Sequence, residues 1–124
     1  MAGAHILVID DNPMNIELVE YVLSSAGFEV RTADSAEQGF ARIAERRPDL
    51  ILMDIQMPGL DGLEMTRRLK ADESLRGMVV VAFTAYAMKG DEERMKEAGC
   101  DGYLAKPVNV KTLAEQVRGF LKSA

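Results

Sequence analysis

The chain has 124 residues, of which 48% are hydrophobic and 28% charged, and its formal net charge is −5. That fits one compact domain with a single hydrophobic core; the length is too small for two such domains and the composition too apolar for a disordered chain. The acidic balance argues against direct binding of nucleic acid, which rests on Lys and Arg neutralising phosphates.

Cys100 is the only cysteine, so no internal disulfide can form, and its place after Gly99 suits a small buried apolar residue. The N-terminus lacks the charged and apolar regions of a signal peptide, and no apolar run approaches the ~20 residues of a membrane span. A cytosolic protein without membrane insertion is expected.

In chain order, His5 to Asp10 is an apolar run that ends in acid. Asn12-Pro13 reads as an N-cap followed by Pro at the first helical position. Ile16, Val19, Val22, Leu23 and Ala26 continue at helical spacing, and Gly27 closes the helix as a left-handed cap. Phe28, Val30 and Thr32 alternate with polar residues, as in a strand near an edge. Ser35 and Gln38 have capping-box spacing and open a helix that carries Phe40 and Ile43 and stops before Pro48. Leu50 to Asp54 is a second apolar run ending in acid, and Pro58-Gly59 and Asp61-Gly62 mark a loop.

The spacing then predicts a helix over about Leu63 to Lys70, a buried strand over Met78 to Thr84 and a helix over roughly Ala87 to Ala98. A last short strand spans Gly102 to Lys106. Asn109 can cap a final helix with the apolar stripe Val110, Leu113, Ala114, Val117, Phe120 and Leu121. Five alternating strand–helix units predict an α/β fold, a doubly wound parallel sheet in the order 2-1-3-4-5. The first, third and fourth strands are almost wholly apolar, which places them centrally with helices on both faces.

Ligands of such sheets bind outside the carboxyl ends of the strands, at the point where the strand order reverses. The first strand ends in Asp10-Asp11, the third in Asp54, the fourth in Thr84 and the fifth in Lys106. Taken singly, the acids suit solvated loops or helix caps, and Lys106 suits a strand-end lysine reaching water. Together they form one constellation. Clustered carboxylates repel; protonation is one relief and a bound cation another, and Mg²⁺ selects such hard oxygen donors. An aspartate beside Mg²⁺ can attack a phosphoryl group and form an acyl phosphate. Phosphoryl transfer needs charge neutralised on the non-bridging oxygens, and Lys106 and the Thr84 hydroxyl can contribute. Pro107 after Lys106 can help to aim that side chain.

Asp10-Asp11, Asp54, Thr84-Ala85 and Lys106-Pro107, with Met57-Pro58-Gly59 and Asp61-Gly62 after the acceptor, resemble the response regulator receiver domain over nearly the whole chain. Asp10-Asp11-Asn12, the stretch Leu52 to Gln56 and the stretch Thr84 to Asp91 resemble the DivK type, single-domain regulators of cell division and polarity. The resemblance implies that Asp54 is the phosphoacceptor. It implies that Asp11, Asp54 and the backbone carbonyl of Gln56 ligate Mg²⁺, while Asp10 holds a metal-bound water. Thr84 and Lys106 would bind phosphoryl oxygens, and Gln56 and Tyr86 would tune hydrolysis of the acyl phosphate. Thr84 and Tyr103 would act as the switch, changing the face built by the fourth helix, fifth strand and fifth helix. Met88 and Met95 on that helix suit either the core or an adaptable binding surface.

The chain ends soon after the fifth helix, so a single receiver domain over residues 1–124 without an output domain is expected. It would be a signalling domain rather than an enzyme in its own right, with a histidine kinase or histidine phosphotransfer protein as phosphodonor and a further protein as target. Three alternatives differ in chemistry. A receiver-like module could bind partners without phosphate. A Mg²⁺-dependent aspartyl phosphatase of the haloacid dehalogenase kind would want an acid two residues after the nucleophile, where this chain has Gln56. A flavodoxin-like electron carrier would want a Gly/Ser/Thr-rich loop where Asp10-Asp11 stand.

Overall fold

The computed structural model describes residues 3–55, 62–84, 89–106 and 109–123, with backbone alone for 89–91 and 123. Strands and helices alternate throughout: β1 (His5–Ile9), α1 (Pro13–Ser25), β2 (Glu29–Ala33), α2 (Ala36–Glu45), β3 (Leu50–Asp54), α3 (Gly62–Ala71), β4 (Val79–Thr84), α4 (Lys89–Ala98), β5 (Gly102–Ala105) and α5 (Leu113–Ser123). All pairings are parallel and the strand order is β2-β1-β3-β4-β5, the doubly wound α/β architecture expected from the sequence. The order reverses between β1 and β3. The register pairs Ile9 with Met53, Asp54 with Phe83 and Thr84 with Ala105, so the carboxyl ends of four strands lie at one level.

The continuous apolar runs are explained by burial on both faces. Ile6, Val8, Leu50, Leu52, Val81 and Phe83 pack on one face against Val19 and Leu23 of α1 and Leu113 and Val117 of α5. Leu7, Ile9, Ile51, Met53 and Val80 pack on the other against Ala36 and Ile43 of α2 and Met65 and Leu69 of α3. β2, at the edge, is half-buried until Ala33, as its alternation suggested. Among the described residues, no helix is long and apolar enough to cross a membrane.

Helix starts follow local chemistry. Asn12 Oδ1 accepts from the backbone N–H of Met14 and Asn15, and Pro13 follows the cap. Gly27, at φ 96°, takes the left-handed conformation that ends α1. Ser35 Oγ accepts from Gln38 N–H, whereas Gln38 Oε1 accepts from Asp34 N–H, one residue earlier than a strict capping box. The final helix departs from expectation. Asn109 accepts backbone bonds from Thr112 and Leu113 and a side-chain bond from Lys111 N–H, so residues 110–112 form a turn and α5 begins at Leu113. That turn takes Val110 out of phase with the apolar stripe and leaves it 51% exposed.

Candidate functional site

The site grows from the strand ends at the β1/β3 reversal. One carboxylate oxygen from each of Asp10, Asp11 and Asp54 lies within 4.8 Å of the others. Asp10 is 1% exposed and Asp54 3%, while Asp11 faces solvent. Asp10 is held on every side. Its N–H donates to Ala33 of β2 at 3.0 Å. Its carboxylate accepts from Asn12 N–H at 2.9 Å and from Asn15 Nδ2 at 2.6 Å. Lys106 Nζ lies 3.0 Å from Asp10 and 3.4 Å from Asp54, which makes it the counter-ion of both buried acids.

Lys106 follows β5 directly and is positioned by its backbone and its stem. Its N–H donates to the Thr84 carbonyl at 2.7 Å, and its ammonium lies 5.6 Å from the centroid of the Phe83 ring. Thr84 is fully buried at the end of β4. Gly62 opens α3 directly against β3. A Cβ there would lie 2.5 Å from the Asp54 carbonyl oxygen and 2.8 Å from Ile55 Cα, so only glycine lets this helix approach the acid-bearing strand end.

The sequence-predicted Asp10, Asp11, Asp54, Thr84 and Lys106 therefore share one edge of the sheet. Gln56 and Tyr86, and with them Met57, Met88 and Pro107, lie outside the described residues. Tyr103 belongs to a different surface. It is 37% exposed on β5 and its hydroxyl donates to the Glu92 carboxylate of α4. That hydrogen bond, with burial and the Glu92 charge behind it, pushes the phenol above its ordinary range. A cleft of about 300 Å³ adjoins it, lined by Glu92, Met95, Lys96, Cys100, Tyr103 and Phe120 among others. Met95 is itself buried beside Leu63, Ala82 and Ala98, as core rather than surface. Cys100 is partly buried, and desolvation raises its thiol above the ordinary range.

Three contributors escaped the sequence reading: Asn15, Phe83 and Gly62. Asn15 lies in the first turn of the capped α1 helix and Phe83 directly precedes Thr84, so adjacency to predicted site residues was the available signal. Gly62 was legible only as turn punctuation.

Three carboxylates that converge within Mg²⁺-scale distances offer hard oxygen donors, and their formal charge exceeds that of the one lysine between them. The arrangement suits a divalent cation and, beyond it, a phosphoryl group.

Comparisons agree with this geometry. The response regulator receiver domain family matches residues 6–118. The polar-differentiation response regulator DivK of Brucella ovis is 41% identical over 119 residues, covering 96% of this chain and 97% of that one. The chemotaxis protein CheY4 of Vibrio cholerae superposes with a TM-score of 0.91 at 27% identity, over 96% of this chain and 99% of that one. The receiver domain of the sensor histidine kinase PA1611 from Pseudomonas aeruginosa, solved with a magnesium ion coordinated in its active site cleft, superposes with a TM-score of 0.87 at 36% identity. That match covers 98% of this chain and 99% of that one.

Proposed function

Because the chain belongs to the response regulator receiver domain family of two-component signalling, we propose that it accepts a phosphoryl group on Asp54 from a histidine kinase or histidine phosphotransfer protein. The phosphorylated form then binds a target protein more tightly. The observation that carries this reading is Lys106 set between two buried acids at a strand-order reversal. A carboxylate oxygen of Asp54 attacks phosphorus, and the bond from phosphorus to the donor nitrogen breaks as the new one forms.

Mg²⁺, when bound, neutralises charge on the non-bridging oxygens. Asp11, Asp54 and the backbone carbonyl of Gln56 would hold it directly. Asp10, whose oxygens already accept from Asn12 and Asn15, would act through a water. Thr84 and Lys106 take phosphoryl oxygens, and Gln56 and Tyr86 set the rate of hydrolysis. Thr84 and Tyr103 carry the change to the α4, β5 and α5 face, where Tyr103 leaves its bond to Glu92 and turns inward. The chain acts as a single cytosolic receiver domain, and its likeness to DivK supports a role in cell division or polarity.

Intact mass after incubation with acetyl phosphate tests the chemistry. One phosphoryl group is expected on the wild type with Mg²⁺, and none without Mg²⁺ or on Asp54→Asn. A wild type that stays unmodified, sampled fast enough to catch a labile acyl phosphate, would instead make the chain a phosphate-independent binding module.

A further inference from the structure

At the opposite end of β1 from the acids lies a buried titratable group that the chemistry above does not use. His5 is 3% exposed, and neither ring nitrogen has a hydrogen-bond partner among the described residues. By the alternation of the strand, its side chain shares a face with Leu7 and Ile9, the apolar layer under α2 and α3. Both of its backbone polar groups are clasped by one residue. His5 N–H donates to Asp49 Oδ2 at 2.8 Å, and the His5 carbonyl accepts from Asp49 N–H at 2.8 Å. Glu29 is its register partner on β2.

The charged groups around the ring come from three elements. Arg46 ends α2 and pairs with Glu29; Arg31 on β2 pairs with Glu45; Asp49 precedes β3. A neutral imidazole there leaves polar atoms unsatisfied, at a modest penalty. An imidazolium would bring a full charge and a second unpaired N–H into an apolar layer within reach of the Arg46 and Arg31 charges, which is far less favourable. Burial first and Arg46 second hold the imidazole below its ordinary range. The Arg47 backbone, close by but outside hydrogen-bonding geometry, and the Asp49 carboxylate pull the other way.

We propose that His5 is a proton-operated latch at the base of the sheet: neutral, it stays packed and the β1–β3 clasp is closed; protonated, it leaves the layer for the Asp49 carboxylate and the clasp opens. The proton is the ligand, and Asp49 is the acceptor within reach because it already bonds the His5 backbone. Opening starts at the His5, Glu29 and Asp49 end, away from Asp10 and Asp11.

The sign follows from linkage. The unfolded chain takes up the proton near pH ~6.5, and the folded chain only at lower pH. Stability is therefore complete above about pH 6.5 and declines as pH falls below it, until the folded group also titrates.

Because His5 is the chain's only histidine, its ring signals in a proton NMR titration are unambiguous. We expect a titration midpoint below ~6.5. We also expect hydrogen-exchange protection at the His5 and Asp49 amides to fall by up to about tenfold per pH unit through the window. In His5→Gln the decline of melting temperature between about pH 6.5 and 5 should largely disappear. A ring midpoint at or above ~6.5, or protection at the clasp that does not follow the ring, overturns the proposal. So does a His5→Gln protein that keeps the wild-type slope. The two NMR readings need no variant, so they decide even if His5→Gln fails to fold.

Discussion

Lys106 answers a charge problem that the backbone creates. Asp10 and Asp54 are both nearly fully buried, and the ends of β1 and β3 fix their separation. Two like charges about 4 Å apart repel by roughly 4 kcal/mol at an effective dielectric of ~20. The ammonium at 3.0 and 3.4 Å offsets part of that and is itself only partly exposed. Lys106→Met is therefore expected to destabilise the metal-free protein by about 2–4 kcal/mol, near the range for breaking a buried pair. It should also enlarge the rise in melting temperature on adding Mg²⁺, because the metal then meets charge that the lysine no longer balances. Equal Mg²⁺-induced shifts in variant and wild type, read by scanning fluorimetry, would remove Lys106 from its place as counter-ion. These residues were legible because residue type and strand-end position together state their chemistry. Asn15 was not, since its amide reaches Asp10 only through the rotation that the Asn12 cap sets for α1.

At the scale of elements, close approach and exposed faces govern what the site can do. α3 starts so near β3 that a methyl group on Gly62 would meet the Asp54 backbone. Gly62→Ala is expected to destabilise the fold by about 1–3 kcal/mol, as overpacking does, and to slow labelling by acetyl phosphate because Asp54 shifts. Normal labelling at lowered stability would show that β3 gives way elsewhere. On α1, Met14, Leu18 and Tyr21 stand exposed at the spacing of one helix face, on the same helix whose Asn15 holds Asp10. On the proposed function, a phosphodonor that brings its histidine to Asp54 would meet this stripe. Tyr21→Ala is expected to slow transfer from a cognate protein donor about tenfold or more while acetyl phosphate labelling stays unchanged. Equal slowing with both donors would place the effect in the fold instead. Element type and order were legible from periodicity and caps. The start of α5 was not, because an Asn109 turn and an Asn109 N-cap demand the same residue, and only the backbone path chooses between them.

Over the whole molecule, one sheet with two apolar faces holds the reactive edge at one end and the His5 clasp at the other. The strand order was legible because apolar runs on β1, β3 and β4 require central positions, while alternation on β2 allows an edge. What the order could not supply was which surface Tyr103 faces, since a half-polar side chain on a short edge strand has acceptable partners on either side. The crowding of Asp10, Asp11 and Asp54 also has a meaning over evolutionary time. Acids gathered this closely repel one another, and on the proposed function use of the site is the reason to keep all three. A lineage that stops receiving phosphate is released from that demand, and exchange of the exposed Asp11 for a neutral residue then relieves part of the repulsion. On the proposed function, the intact acidic set is what phosphotransfer demands, and its erosion in a descendant would mark the loss of the signal.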